Sequence, residues 1–229
     1  MAQPRILIVL TSHQQLGDTG QDTGFWLEEL ASPYYVFVDA GAEVTLASIQ
    51  GGAPPIDPKS GQPDSETDST RRFRSDPVAQ QKLRNTVSIG TVKADDYDAL
   101  FLPGGHGTMW DFPDNTALTN LIEAFDGQAK TVAAVCHAPA ALVNVNSTAG
   151  APLVKGKRIT AFTDSEERTV QLEQVVPFLL ESRLRELDAQ FEGAADFAAF
   201  VQQDGNLITG QNPASSGPAA AAVLKALAQ

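Results

Sequence analysis

Five short aliphatic and β-branched runs, separated by amphipathic stretches, limit the folds open to this chain more than any other feature. They are Arg5–Leu10, Glu43–Ser48, 98–103, 130–135 and 158–162. Most are continuously apolar rather than alternating, the pattern of strands covered on both faces. Between them, 25–40 carries a broad apolar face of Phe25, Leu27, Leu30, Tyr34, Val36, Phe37 and Val38. A second helix over 76–85 opens with Asp76 as N-cap and Pro77 at the first helical position, and 115–125 and 138–145 continue the rhythm. Strand alternating with helix implies right-handed crossovers and a mostly parallel sheet, so the fold class is α/β.

Two regions interrupt this rhythm. Residues 51–75 are polar and rich in Pro, Ser and Asp, too long for a simple connection, and read as a surface excursion. They end in Arg71-Arg72-Phe73-Arg74, the one basic patch, which reads as a solvated loop in preference to a phosphate site. Residues 188–210 suggest short strands with a hairpin, and 215–227 a small-residue helix able to pack closely on the sheet. At 229 residues, with no repeat and no dividing linker, the expectation is one domain over 1–229.

Charge and composition exclude several classes. Twenty-eight acidic residues against sixteen basic ones leave a net charge of -12. That balance disfavours nucleic acid and anionic membrane surfaces, both of which call for basic residues. A 42% hydrophobic content is that of a chain with a real core, not a disordered one. The apolar run from Ile6 to Leu10 is too short for a signal peptide or membrane span. Cys136, the sole cysteine, makes no internal disulfide, so a cytoplasmic location is expected.

In doubly wound sheets, sites form beyond the carboxyl ends of the strands. Three such ends here carry unusual residues: Gly104-Gly105-His106-Gly107, Cys136-His137-Ala138-Pro139, and Thr163-Asp164-Ser165-Glu166-Glu167. A strand leading into Ala134-Val135-Cys136-His137-Ala138 and then a helix has the form of a nucleophile elbow, its sharp turn needing small residues on either side. A helix N-terminus behind the cysteine favours thiolate and lowers the thiol pKa. The bland alternative is a buried structural cysteine.

The histidines are His13, His106 and His137, and none follows position 137. A glutamine amidotransferase triad, with its downstream histidine, is therefore excluded. The base is His137, another histidine or a carboxylate; adjacency to Cys136 limits how directly His137 takes the thiol proton. Glu166 and Glu167 are both placed to orient that histidine. The glycine turn at 104–107 leaves N–H groups free for an oxyanion and lacks the spacing and lysine of a phosphate loop. Glu28 and Glu29 lie on the first long helix; one facing the core would have its pKa raised by desolvation, but being adjacent they cannot both do so. No metal site is expected, because Cys136-His137 is a poor ligand spacing.

These residues resemble the ThiJ/PfpI superfamily, within it the glyoxalase III and heat-shock chaperone branch. The resemblance runs nearly the whole length: Thr23-Gly-Phe-Trp-Leu-Glu-Glu-Leu-Ala-Ser-Pro33, Ala40-Gly-Ala-Glu-Val-Thr-Leu-Ala-Ser48, the segment from Asp96 to Asp111 with its glycine-histidine loop, Ala134-Val-Cys-His-Ala-Pro139, and Thr209-Gly-Gln-Asn-Pro-Ala-Ser215. It implies a flavodoxin-like three-layer sandwich, usually dimeric. It also implies a nucleophile at Cys136 followed by His137, and a thiol-bonding glutamate at Glu29 rather than Glu28. The acidic partner falls on Glu167, or Glu166 if the match shifts by one. Gly105 and His137 amides would form the oxyanion pocket, with His106 beside the substrate. The implied activity is conversion of methylglyoxal to lactate without glutathione, metal or organic cofactor. Rival readings with the same thiol are a redox-sensing chaperone with unfolded-protein clients, and a deglycase of glycated proteins.

Overall fold

The computed structural model describes residues 3–228; Met1, Ala2 and Gln229, the ends of the expected domain, lie outside the described residues. The strands are β1 (Arg5–Leu10), β2 (Glu43–Ser48), β3 (Val87–Ser88), β4 (Ala99–Leu102), β5 (Thr131–Val135), β6 (Arg158–Ile159), β7 (Gln190–Phe191), β8 (Val201–Asp204) and β9 (Leu207–Gly210). Seven form one sheet in the order β3-β2-β1-β4-β5-β9-β8, parallel except for the β8–β9 hairpin. The helices are α1 (Leu27–Asp39), α2 (Asp68–Ser75), α3 (Pro77–Arg84), α4 (Thr108–Asp111), α5 (Thr116–Gly127), α6 (Asp164–Thr169), α7 (Leu180–Glu186) and α8 (Ser216–Leu227).

Period-two alternation along the strands divides the interior into two cores. Ile6, Ile8, Leu10, Ala99, Phe101, Ala133 and Val135 face α1, α2, α3 and α8. Leu7, Val9, Leu100, Leu102, Val132 and Ala134 face the other way, toward α4, α5 and α7. The result is the expected three-layer sandwich. Among the described residues, no helix is long and apolar enough to cross a membrane.

Three segments depart from the sequence expectation. The run at 158–162 pairs only over Arg158 and Ile159, with β7 in a separate two-stranded sheet. Beyond that pair, Thr160 N–H goes to the Thr209 hydroxyl and Phe162 N–H to the Cys136 carbonyl, so the chain leaves the strand to brace the elbow. Residues 138–145 form a buried 3₁₀ stretch over Ala138–Leu142 instead of an α-helix. The 51–75 excursion is not a loop throughout: α2 occupies its last third, capped by Thr67, with Thr70 and Phe73 fully buried. The arginines around Phe73 are spent on carboxylates: Arg71 on Glu66 and Asp68, Arg72 on Asp39, and Arg74 on Glu66.

Candidate active site

The carboxyl ends of β4 and β5, neighbours in the sheet, bring the glycine-histidine turn against the cysteine. Cys136 has φ 58°, the left-handed conformation of a residue turned sharply out of its strand. Flanking strands over-determine this turn. Cys136 N–H donates to the Gly210 carbonyl at 2.8 Å, and its own carbonyl accepts from Phe162 N–H at 2.9 Å. At Gly104 a side chain is excluded outright: a Cβ would lie 2.6 Å from the Val135 carbonyl and 2.8 Å from both a Glu29 oxygen and His137 N.

Glu29 sits in the first turn of α1, fully buried. Its Oε2 accepts from Gly104 N–H at 2.7 Å. Oε1 has no conventional partner, while the carboxyl interacts with the Cys136 thiol. Burial pushes its pKa up to about 8, so it is a neutral acid at pH 7. Glu28 points elsewhere, accepting from the Thr67 hydroxyl and so tying the excursion to α1.

Cys136 Sγ lies 3.2 Å from His137 Nδ1. Adjacency along the chain therefore does not keep the imidazole from the thiol, because the left-handed turn swings Sγ back over it. Across the ring, His137 Nε2 meets Glu167 Oε2 at 2.7 Å. The other oxygen, Oε1, meets His106 Nε2 at 2.8 Å. One carboxylate is thus shared by two histidines whose ring centroids are 4.0 Å apart. The two imidazoles hold the Glu167 carboxyl far below the usual range against the opposing effect of burial. An ionised carboxylate only accepts, which puts a proton on each Nε2 and leaves His137 Nδ1 as an acceptor facing the thiol. Burial, together with His106, also lowers the His137 pKa and keeps that ring neutral.

Glu166 has a different task. It closes the capping box of α6 with Thr163 and accepts from Asn212 Nδ2 and Phe197 N–H. The lowered thiol pKa expected of a helix N-terminus is not found. Burial and the glutamates raise the Cys136 pKa, and the hydrogen bond from Gly105 N–H opposes this only in part. The short 3₁₀ stretch behind it offers no α-helical dipole to reverse the balance. Sequence reasoning missed Phe162, whose ring packs at 4.3 Å on His137, and Phe197, which extends that aromatic wall. The signal for Phe162 was its place at a strand end just before the capping box; Phe197, in an irregular polar segment, gave none.

Fold and turn together define the flavodoxin-like proteins that carry a cysteine elbow. The model of the DJ-1/PfpI family matches residues 22–226, and the chain belongs to that family. Glyoxalase 3 of Candida albicans is 30% identical over 222 residues, covering 93% of each protein. The glutathione-independent glyoxalase HSP31 of Saccharomyces cerevisiae is 30% identical over 237 residues, covering 99% of each. Among solved structures, the 24 kDa rapid encystment protein of Francisella tularensis superposes with a TM-score of 0.94 at 36% identity, over 98% of this chain and 99% of that one. The Candida albicans glyoxalase III structure gives 0.90 at 30% identity, over 97% of both.

Proposed function

We propose that the protein is a glutathione-independent glyoxalase that converts methylglyoxal, or a small 2-oxoaldehyde like it, to the 2-hydroxy acid. The observation that carries this reading is a thiol held between an accepting imidazole nitrogen and a neutral carboxylic acid. Isomerising an oxoaldehyde needs such a nucleophile flanked by one base and one acid. The activity named for the curated relatives supports the same reaction.

The steps balance with these groups alone. His137 Nδ1 takes the Cys136 proton as sulfur attacks the aldehyde carbon, then returns it to the alkoxide beside Gly105 N–H, giving a hemithioacetal. His137 next removes the C1 proton while Glu29 gives its own proton to the C2 oxygen, forming an enediol. Glu29 recovers a proton from the C1 hydroxyl as His137 protonates C2, and the product is a lactoyl thioester. Water, activated by His137, releases lactate and restores the thiol. Glu167 holds His137 in the required tautomer throughout, with His106 on its second oxygen.

The test is lactate formation from methylglyoxal without glutathione. Wild type is expected to form lactate, Cys136→Ser none, and Glu29→Gln at least about 100-fold less, the scale of a lost acid–base group. Methylglyoxal consumed without lactate would mean mere thiol trapping and would overturn the reading. A chaperone or oxidation-sensor role has less support: the large exposed apolar side chains among the described residues, Val38, Ile56, Val78, Val87 and Phe197, lie on separate segments. Burial that keeps Cys136 a thiol also slows oxidation.

A further inference from the structure

His106, His137 and Glu167 each offer one donor atom, and the three donors lie within 4.8 Å of one another. Sequence spacing gave no hint of this, because the obvious pair, Cys136 and His137, is not the one the fold brings together for a metal. His106 arrives from the turn after β4 and Glu167 from α6, sixty-one positions apart. We propose that these three side chains form a binding site for a divalent transition ion, zinc foremost, and that its occupation switches the thiol chemistry off.

The donor set suits that ion: two imidazoles and a carboxylate, with a fourth position left for water, is a common open zinc arrangement. Tetrahedral zinc with bonds of about 2.0–2.1 Å needs donors roughly 3.3 Å apart. The carboxylate now meets each Nε2 through a separate oxygen, at 2.7 and 2.8 Å, and the three donors lie within 4.8 Å of one another, so side-chain rotation alone brings them to that spacing. Borderline nitrogen donors select zinc, copper or nickel over magnesium and calcium, which seek oxygen. His137 and Glu167 are buried, while the His106 side chain keeps 12% of its surface exposed and leaves a route for the ion. The thiol is outside the donor set, since Sγ lies against Nδ1 on the opposite edge of the ring from Nε2.

Inhibition follows from proton placement. Coordination through Nε2 displaces the protons now donated to Glu167 and moves the remaining ring proton of His137 to Nδ1. Nδ1–H then faces sulfur as a donor, and the nitrogen that accepted the thiol proton is gone. Metal binding stands independently of the glyoxalase reading; only the loss of turnover rests on it.

The experiment titrates metal-free protein with Zn²⁺ against a chromophoric chelator, and records Co²⁺ ligand-field absorption on the same samples. One equivalent is expected to bind wild type, with Cys136→Ser and His13→Ala, the histidine outside the cluster, within threefold of it. His106→Gln and Glu167→Gln are expected to weaken binding more than about 100-fold, beyond the usual loss of a supporting partner. Melting curves check that both variants fold. Lactate formation by wild type should fall in proportion to the bound fraction and return with EDTA. Binding lost in Cys136→Ser, kept in His106→Gln, or absent from wild type would each overturn the site.

Discussion

Between Gly104 N–H and the Cys136 thiol, the Glu29 carboxyl has lost all contact with water and retains its proton to about pH 8. The unfolded chain releases that proton near pH 4.5, so the native state binds one more proton than the unfolded state across that window. Stability contributed here is accordingly lost as pH rises from about 4.5 to 8. At pH 7 the cost is on the order of 3 kcal/mol, since each pKa unit corresponds to about 1.4 kcal/mol. Glu29→Gln keeps an oxygen for Gly104 N–H and an N–H for sulfur without that cost. Thermal melts should show the variant more stable than wild type at pH 7.5, with the gap closing toward pH 4; equal melts at both would contradict a neutral buried acid. Cys136, His137 and Glu29 were legible in the sequence because local rules of strand ends and helix faces, joined to the family resemblance, pick them out. The sharing of Glu167 with His106 was not, since it depends on a contact between residues 61 positions apart.

At the scale of elements, α2 is the clearest difference between what the chain suggests and what it forms. Its three arginines gave the 51–75 segment a solvated character, and they do face water in ion pairs with Glu66, Asp68 and Asp39. Phe73 between them is fully buried, edge-on to Tyr34 at 5.6 Å and near Tyr35. One apolar residue among charges is a faint periodic signal, and the Thr67–Thr70 capping box lacks the Glu or Gln that marks a helix start in a sequence. Phe73→Ala should cost about 3–5 kcal/mol in denaturant melts, as for other buried aromatics. Replacing Arg71, Arg72 and Arg74 together with alanine should leave the midpoint near that of wild type, because exposed pairs contribute little. The shortened β6 has a comparable cause: an apolar run reads as a strand whether its N–H groups go to a neighbouring strand or, as at Thr160 and Phe162, to a side chain and an elbow.

Across the whole molecule, the site depends on both ends of the chain. β9 inserts beside β5 and supplies the Gly210 carbonyl that holds Cys136, while α8 covers Ala133 and Val135 from the far core. A chain ending at residue 215 lacks α8, and circular dichroism is expected to show no cooperative melt; a native-like melt would mean that α8 is dispensable to the core. The parallel order and the two cores were foreseeable from unbroken apolar strands, but the place of each strand in the sheet was not, because nearly identical runs carry no address. The alternation that sorts Ala99 and Phe101 into one core, and Leu100 and Leu102 into the other, has a consequence for how such a gene can vary. One extra codon within β4 would send each following side chain to the wrong hemisphere and displace the glycine turn from the cysteine, whereas the same codon near Gly61–Ser65 would lengthen only a surface bend. An engineered one-residue insertion at 61–65 is therefore expected to leave the melting temperature near that of wild type, while one in the strand leading to the glycines abolishes folding.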